Sequence, residues 1–180
     1  MSRVEFPDKH QPSADFESVT KHIKDKAKFQ EKAEVAQEYS DVHVHGEYPT
    51  LPHAIVFMTD VHYGSMSTDY DLLLTHLAVV ENTPNMFVLM GGDLIDGFSP
   101  AKHPTAMSGD AITPDLQTEA MVEKLKELDR ANKLVGVQVG NHDLWADIAG
   151  YSFEQFLSEL KCPVYAAGGR LDLHIVNELY

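Results

Sequence analysis

The segment Ala54-Ile55-Val56-Phe57-Met58-Thr59-Asp60-Val61-His62 is an apolar run that leads into acidic and imidazole side chains. Two further runs, at residues 86–90 and 134–139, end similarly, the first at Gly92-Asp93 and the second at Gly140-Asn141-His142-Asp143. Short apolar runs bounded by glycine or polar residues are typical of buried strands in a parallel sheet. Open α/β sheets bind their ligands beyond the carboxyl ends of such strands. We therefore expect these polar residues to converge at one edge of a sheet.

Helical periodicity between the runs completes the prediction of an α/β domain over residues 41–180. Apolar residues recur every three or four positions in the intervening segments, which indicates crossover helices packed on the sheet. Besides the three strands, the predicted elements are helices at residues 69–81, 114–132 and 152–160 and strands at residues 164–165 and 171–176.

A polar amino-terminal region, residues 1–40, precedes this domain. Pro7 and Pro12 mark a loose arm, and the segment from about Ser13 to Tyr39 has helical spacing with a narrow apolar stripe and many charges. We expect an arm followed by a solvated helix that lies on the domain. A helix that binds a partner is the alternative.

The composition is that of a soluble globular protein. A length of 180 residues with 43% apolar content permits one domain with a sizeable core. No apolar run is long enough to span a bilayer, the first eight residues lack the apolar core of a secretory signal, and the single cysteine cannot form an internal disulfide. We expect a cytoplasmic protein without membrane contact. The net charge of −14 opposes non-specific binding to nucleic acid, which depends on many Lys and Arg contacts.

The residue types at the three strand ends are those of a metal site. Carboxylate and imidazole donors together suit Zn, Mn or Fe better than Ca, and the single cysteine lies outside the motifs, which excludes a thiolate site. Asp60 and His62 share a face if the backbone stays extended. Asp93 has two oxygens and can bridge two cations, which lie roughly 3.5–4 Å apart in sites that promote attack on phosphorus. Asn141 offers a neutral oxygen to the second cation, and His142 is placed to meet a substrate.

At these motifs the chain resembles the calcineurin-like metallophosphoesterase family, whose members carry D-x-H, then G-D-x-x-D, then G-N-H-D or G-N-H-E. The motifs stand here in that order as Asp60-Val61-His62, Gly92-Asp93-Leu94-Ile95-Asp96 and Gly140-Asn141-His142-Asp143. The resemblance covers roughly residues 53–180. It implies a β-sandwich flanked by helices, and hydrolysis of a phosphomonoester or phosphodiester by in-line attack of water.

The resemblance also implies a dinuclear metal centre. Asp60 and His62 are expected to bind the first divalent ion, Asp93 to bridge the two ions, and Asn141 to bind the second. Manganese is expected first, with iron or zinc as alternatives.

The remaining motif residues are expected to serve catalysis. His142 would act as general acid toward the leaving group or hold a phosphoryl oxygen, with Asp143 fixing its ring. Asp96 would orient the metal ligands from behind. Trp145 is expected either to wall the site or to fill the core beside it. The segment 97–113, rich in Gly, Pro and Ser, predicts a long loop near the site, with His103 as a surface residue.

The sequence departs from the family pattern after the third motif. Family members continue with further strands bearing a histidine and then a G-H-x-H segment, whereas His174 is the only downstream histidine here. Its pattern places it within a strand, so we expect an ordinary strand residue, with a ligand role as the lesser alternative. The expected fold is therefore a metallophosphoesterase-like sandwich truncated after its first βαβαβ half. A second chain or a further segment would supply the missing ligands.

A different metal motif, Asp41-x-His43-x-His45, resembles the opening of amidohydrolases. The residues before it do not form a buried barrel strand, and a (β/α)₈ barrel normally needs about 250 residues. We expect His43 and His45 to face solvent on an edge strand.

Three alternatives to a free-standing phosphatase remain open. One is a DNA or RNA nuclease whose basic groove comes from a partner. Another is a non-catalytic binding or assembly module, because open metal shells bind weakly and a half sheet leaves an edge exposed. The third alternative is that there is no metal site, and that Asp60, Asp93 and Asp143 only cap turns and helices after strands.

Overall fold

The computed structural model describes residues 16–17, 20–21, 24, 38–48, 50–98, 109–147, 153, 157–166 and 168–176. The chain divides into two compact units, Met1–Gln37 and Glu38–Tyr180. In the first unit the described residues are helical, in agreement with that part of the predicted amino-terminal helix. The second unit begins directly with a strand. The predicted helix was therefore too long, because Glu38 and Tyr39 belong to this strand.

The second unit contains two parallel sheets and a set of helices. The strands are β1 (Glu38–His45), β2 (Ala54–Met58), β3 (Met86–Met90), β4 (Leu134–Gln138), β5 (Val164–Tyr165) and β6 (Gly169–Val176), and the helices are α1 (Tyr70–Asn82), α2 (Pro114–Arg130) and α3 (Asn141–Asp147). The larger sheet has the order β2-β3-β4-β5, and β1 pairs with β6 in the smaller one. All pairings are parallel. The carboxyl ends of β2, β3 and β4 therefore lie along one edge.

Local signals explain where the two long helices begin. The Asp69 side chain accepts a hydrogen bond from the Leu72 backbone N–H at 3.0 Å and so caps α1. Pro114 occupies the first turn of α2, where its missing N–H costs nothing. Within the described residues, no helix combines the length and apolar character needed to cross a bilayer.

Helices cover one face of the larger sheet and the smaller sheet covers the other. Leu77 and Val80 of α1 join Leu125 and Leu128 of α2 in the main core. A second apolar cluster lies between the two sheets and includes Val44 of β1, Leu173 of β6, Phe87 and Leu89 of β3, and Val135 of β4. This arrangement confirms the predicted α/β sandwich flanked by helices.

The exposed face of the β1–β6 sheet carries the Asp41-x-His43-x-His45 motif and His174. His43 and His45 are exposed on β1, as predicted. His174 pairs in register with His43 and stacks on its ring at 4.9 Å. Its Nε2 lies 2.8 Å from Oδ1 of Asp41, and this hydrogen bond holds the pKa of Asp41 below its ordinary value. His174 therefore has a local acidic partner on β1.

Candidate metal centre

The chain segments that leave β2 and β3 run side by side beyond the strand ends. The N–H groups of Asp60, His62 and Tyr63 donate to the carbonyl oxygens of Gly92, Asp93 and Leu94 at 3.0, 3.0 and 2.9 Å. Backbone hydrogen bonds thus continue the β2–β3 pairing for several residues and hold the two motifs together.

Three of the four predicted metal ligands have a left-handed backbone. The φ angles are 55° at Asp60, 46° at His62 and 49° at Asp93. The backbone is therefore not extended here, and the condition under which Asp60 and His62 would share a strand face is not met. Asp and His tolerate this conformation better than most residues, yet it remains strained and persists where the surroundings impose it. The ladder of hydrogen bonds to the β3 loop supplies that constraint.

The left-handed turns bring the predicted donors together. Asp60, His62 and Asp93 each offer a ligand atom, and these atoms lie within 4.8 Å of one another. Asn141 is exposed and follows Gly140 at the third strand end, where both Gly140 and His142 approach Asp93. The structure thus places all four predicted ligands at the same edge of the larger sheet. The donor set of two carboxylates, one imidazole and one amide suits a transition-metal divalent cation.

Gly140 is required by the position of Asp93. A Cβ atom at Gly140 would lie 2.1 Å from Oδ1 and 2.2 Å from the backbone nitrogen of Asp93. Only glycine lets the third strand end approach so closely. The same Oδ1 accepts a hydrogen bond from the N–H of His142 at 3.0 Å, so the Asp93 carboxylate is fixed from one side.

Asp96 contacts both histidines of the site. Its Oδ1 lies 3.0 Å from Nδ1 of His62, and its backbone oxygen lies 2.7 Å from Nδ1 of His142. Because a carbonyl oxygen only accepts, Nδ1 of His142 carries the hydrogen. The two imidazole rings meet edge to face with centroids 4.5 Å apart. The contact of Asp96 with His62 agrees with the expectation that Asp96 orients a metal ligand, whereas its contact with His142 was not predicted. Asp96 also forms a group of possible ligands with these two histidines.

Asp143 has a different environment from the one expected. Its Oδ1 accepts hydrogen bonds from the N–H groups of Leu94 and Ile95 at 2.9 and 3.1 Å, and its Oδ2 accepts one from Gly140 at 2.8 Å. The residue is fully buried, and this burial raises the pKa of its carboxyl to about 6, against the opposing effect of the three backbone donors. The expectation that Asp143 fixes the His142 ring was wrong, since the ring hydrogen bond goes to Asp96. Asp143 instead ties the second and third motifs together through their backbones.

A cavity and an aromatic wall flank the cluster. The cavity measures about 450 Å³ and opens beside Asp60 and His62, with Leu72, Leu73 and His76 of α1 among its lining residues. On the other side, the ring centroid of Trp145 lies 4.1 Å from that of His142. Phe98 lies 5.3 Å from His142 and 5.7 Å from Trp145. Of the two roles considered for Trp145, this contact favours a wall beside His142.

Sequence reasoning missed two polar residues that support the site. Gln117 is fully buried in α2, where it accepts the N–H of Gly97 at 2.8 Å and donates to the oxygen of Ile112 at 3.0 Å. Burial, and then the neighbouring carboxyl of Asp96, raise the pKa of Asp110 to about 7. No motif contains either residue. The only indication in the sequence was the long loop predicted at residues 97–113, which suggested a functional segment but did not single out Asp110 or Gln117. His103, predicted within this loop, lies outside the described residues.

A parallel sheet with helices on one face, and carboxylate and imidazole donors gathered at its carboxyl edge, defines an α/β protein with a candidate metal centre. Residues 53–176 match the family model described as calcineurin-like phosphoesterase, and the chain belongs to this family. No curated protein and no solved structure gives a significant match to the chain.

Proposed function

We propose that this protein hydrolyses a phosphomonoester or phosphodiester with the help of two divalent ions. The observation that carries the proposal is the close approach of the Asp60, His62 and Asp93 donors, all within 4.8 Å, in a chain that belongs to the phosphoesterase family. If the carboxylates of Asp60 and Asp93 only capped turns, there would be no reason for the His62 imidazole to lie beside them. The convergence therefore favours a metal centre over the capping alternative.

The proposed ligands divide between the two ions. Asp60 and His62 hold the first ion, Asp93 bridges, and Asn141 holds the second, with manganese favoured over iron and zinc. When bound, the ions supply Lewis-acid polarisation of the phosphoryl group and a more acidic water. Four protein ligands leave positions open on both ions for water and the substrate. We propose that a second chain or an additional segment that supplies further ligands would raise the activity of this chain.

His142 is the proposed general acid or phosphoryl-binding group. Its Nδ1 is held by the carbonyl oxygen of Asp96, which leaves Nε2 to hold or release a proton at the substrate. Asp143 acts indirectly, by holding the backbone of Gly140 beside that of Leu94 and Ile95.

A small phosphate ester is favoured over nucleic acid as the substrate. The formal net charge of −14 opposes the many phosphate contacts that a nuclease makes, although a basic partner would change this balance. A cytoplasmic site of action is part of the same proposal, because a single cysteine is typical of reducing compartments.

The test is hydrolysis of a generic aryl phosphate and a bis-aryl phosphodiester by the purified full chain with added Mn²⁺. We expect release of the aryl alcohol that stops with EDTA and resumes with excess Mn²⁺. Asp60→Ala should abolish it, while Asp41→Ala, which removes a carboxylate on the β1–β6 sheet, should leave it unchanged. Protein that binds Mn²⁺ but cleaves neither compound would contradict the enzymatic proposal and favour a binding module.

A further inference from the structure

The cavity beside the candidate metal centre extends along the first turns of α1. Its lining includes Asp60 and His62 at the metal centre, and Leu72, Leu73 and His76 on the helix. Because α1 leads back from the carboxyl edge of the larger sheet to the start of β3, its first turn lies nearest the metal centre. The volume of about 450 Å³ is that of a small-molecule site, for which roughly 300–1,000 Å³ is usual. A molecule held at the metal centre can therefore extend into this cavity.

Two of the polar side chains in the lining are engaged by the backbone of the protein itself. The hydroxyl of Thr68 donates to two backbone oxygens of the first motif, at 3.1 and 2.9 Å. The carboxylate of Asp69 caps α1 by accepting a backbone N–H at 3.0 Å. Met58, Leu72 and Leu73 add apolar surface to the same lining. A pocket of this kind binds the apolar part of a ligand and orients it through a few polar groups.

Leu72 is the lining leucine with most surface left to cover. Its side chain is 50% exposed, whereas Leu73 is partly buried and packs on the main core. Covering a half-exposed leucine with an apolar group is favourable, because it removes apolar surface from water. Leu74, two residues along α1, is 61% exposed but lies outside the described lining of the cavity. The two leucines therefore allow a matched comparison of substitutions inside and outside the cavity.

The charges around the cavity oppose an anionic ligand group. Asp60, Asp69 and Asp96 belong to the lining, and Asp71 is exposed in the first turn of α1. The described lining contains no Lys or Arg. His76 is exposed, and no described residue hydrogen-bonds to its ring, so the ring can contact one polar atom of a ligand. An uncharged, largely apolar group fits this environment best.

We propose that the cavity binds the organic group of the substrate, and that the substrate is a phosphate ester of an uncharged, largely apolar alcohol. Leu72 is then a specificity-determining residue. The inference rests on the proposed function and narrows its substrate class. In the hydrolysis, water adds to phosphorus, the bond between phosphorus and the ester oxygen breaks, and the alcohol leaves with a proton. The His142 ring meets that of His62 with centroids 4.5 Å apart, so the proposed general acid lies near the end of the cavity where the alcohol is released.

The first experiment compares three phosphate esters of alkyl alcohols. They are cyclohexylmethyl phosphate, which is apolar, glycerol 1-phosphate, which is polar, and phosphocholine, which is cationic. With the full chain and Mn²⁺ we expect kcat/KM to be at least about tenfold higher for the cyclohexylmethyl ester than for the other two, as is usual for a hydrophobic pocket.

Substitutions on α1 test whether the cavity causes this preference. Leu72→Ser should lower kcat/KM for the cyclohexylmethyl ester about tenfold and change it less than about twofold for glycerol 1-phosphate. Leu72→Met keeps an apolar side chain of similar volume and should retain the preference. Leu74→Ser, outside the cavity, should change neither value. Circular dichroism of each variant checks that the fold is kept.

A second readout needs neither metal nor turnover. In EDTA, 2-naphthol should shift the amide ¹H–¹⁵N signals of Leu72, Leu73 and His76 in a saturable way, because its aromatic ring would enter the cavity beside them. The shifts should be smaller in Leu72→Ser and unchanged in Leu74→Ser.

Equal turnover of the three esters would overturn the inference, as would a preference for phosphocholine or an equal loss for all esters in Leu72→Ser. A chain that hydrolyses no phosphate ester would contradict the proposed function, and the naphthol titration would still decide about the cavity. Shifts at the three amides would support an apolar group in this position, and their absence up to the solubility limit of 2-naphthol would overturn it. The two failures are therefore distinguishable.

Discussion

The backbone N–H of His142 donates a 3.0 Å hydrogen bond to Oδ1 of Asp93. One residue is the proposed general acid and the other the proposed bridging ligand, and they are separated by 49 positions in sequence. The bond fixes the Asp93 carboxylate from the side of the third motif. A substitution that moves the backbone of His142 should therefore also move the Asp93 carboxylate. Substitutions at these two residues can separate the effect on catalysis from the effect on metal binding.

His142→Ala should remove most of the hydrolytic activity, by about 100-fold or more, while metal content stays nearly unchanged. The substitution removes the ring but keeps the backbone N–H that holds Asp93. Turnover of an aryl phosphate and metal analysis of the dialysed protein check the two halves of this prediction. His174→Ala, on the β1–β6 sheet, is the matched control and should preserve both. Metal loss as large as the activity loss would show that His142 is itself a ligand.

Asp93→Asn should lower the affinity for both ions at once. Asparagine tolerates the left-handed backbone at this position (φ 49°) and its oxygen still accepts from His142, so the fold should survive. What disappears is the negative charge needed to bridge two cations. Metal stoichiometry after dialysis, compared with Asp71→Asn, measures the effect. A variant that retains two ions per chain is incompatible with a bridging role.

Gly140→Ala should displace Asp93 and destabilise the protein. The new methyl group would lie 2.1 Å from Oδ1 of Asp93, so the carboxylate and its backbone must shift. Overpacking of this kind costs about 1–3 kcal/mol. Gly109→Ala is the control, because no atom of the described residues lies within 4 Å of a Cβ there. Urea unfolding and Mn²⁺ titration of both variants check the prediction. Similar behaviour of the two variants would show that the site tolerates a shift of Asp93.

Metal-free protein should lose stability as the pH rises from about 4 to about 7, and Asp110→Asn should lessen this loss. The native state keeps the Asp110 proton up to a pKa of about 7, whereas the unfolded chain releases it near the ordinary value of 3.8. The native state thus binds more protons in this window, so its stabilisation is complete below the lower value and declines toward the upper one. Asp96 and Gln117 face the group, and both are present in the two proteins.

Urea midpoints at several pH values in EDTA measure this difference. The pKa of Asp143 is also raised, to about 6, and it contributes a decline of the same sign to both proteins. The difference between the two curves therefore isolates Asp110. Parallel curves would show that Asp110 does not hold a proton in the native state.

The sequence predicted the elements of the fold because their signals are local. Apolar runs of five or six residues located β2, β3 and β4, and three- to four-residue spacing located α1 and α2, each within two residues of the observed ends. The placement of Asp60, His62 and Asp93 at one edge of the sheet followed from the predicted parallel strands.

The details of the site did not follow, because they depend on contacts between distant residues. The left-handed turns at Asp60 and His62 are imposed by hydrogen bonds to the β3 loop, which sequence spacing cannot reveal. Asp143 is adjacent to His142 in sequence, yet its oxygens accept from Leu94 and Ile95, nearly 50 residues earlier. No residue pattern in the sequence indicates that Asp96 raises the pKa of Asp110.

The left-handed backbone at Asp60, His62 and Asp93 has a consequence for how an ion would be captured. Each such residue costs on the order of 1–3 kcal/mol of backbone strain. The free energy of folding compensates for this strain, because the hydrogen bonds between the strand ends impose the conformation. The ligand loops are consequently bent into shape before any cation arrives. A cation that enters this corner uses none of its binding free energy to bend the backbone, so its capture should be limited by the loss of its own water shell rather than by movement of the protein.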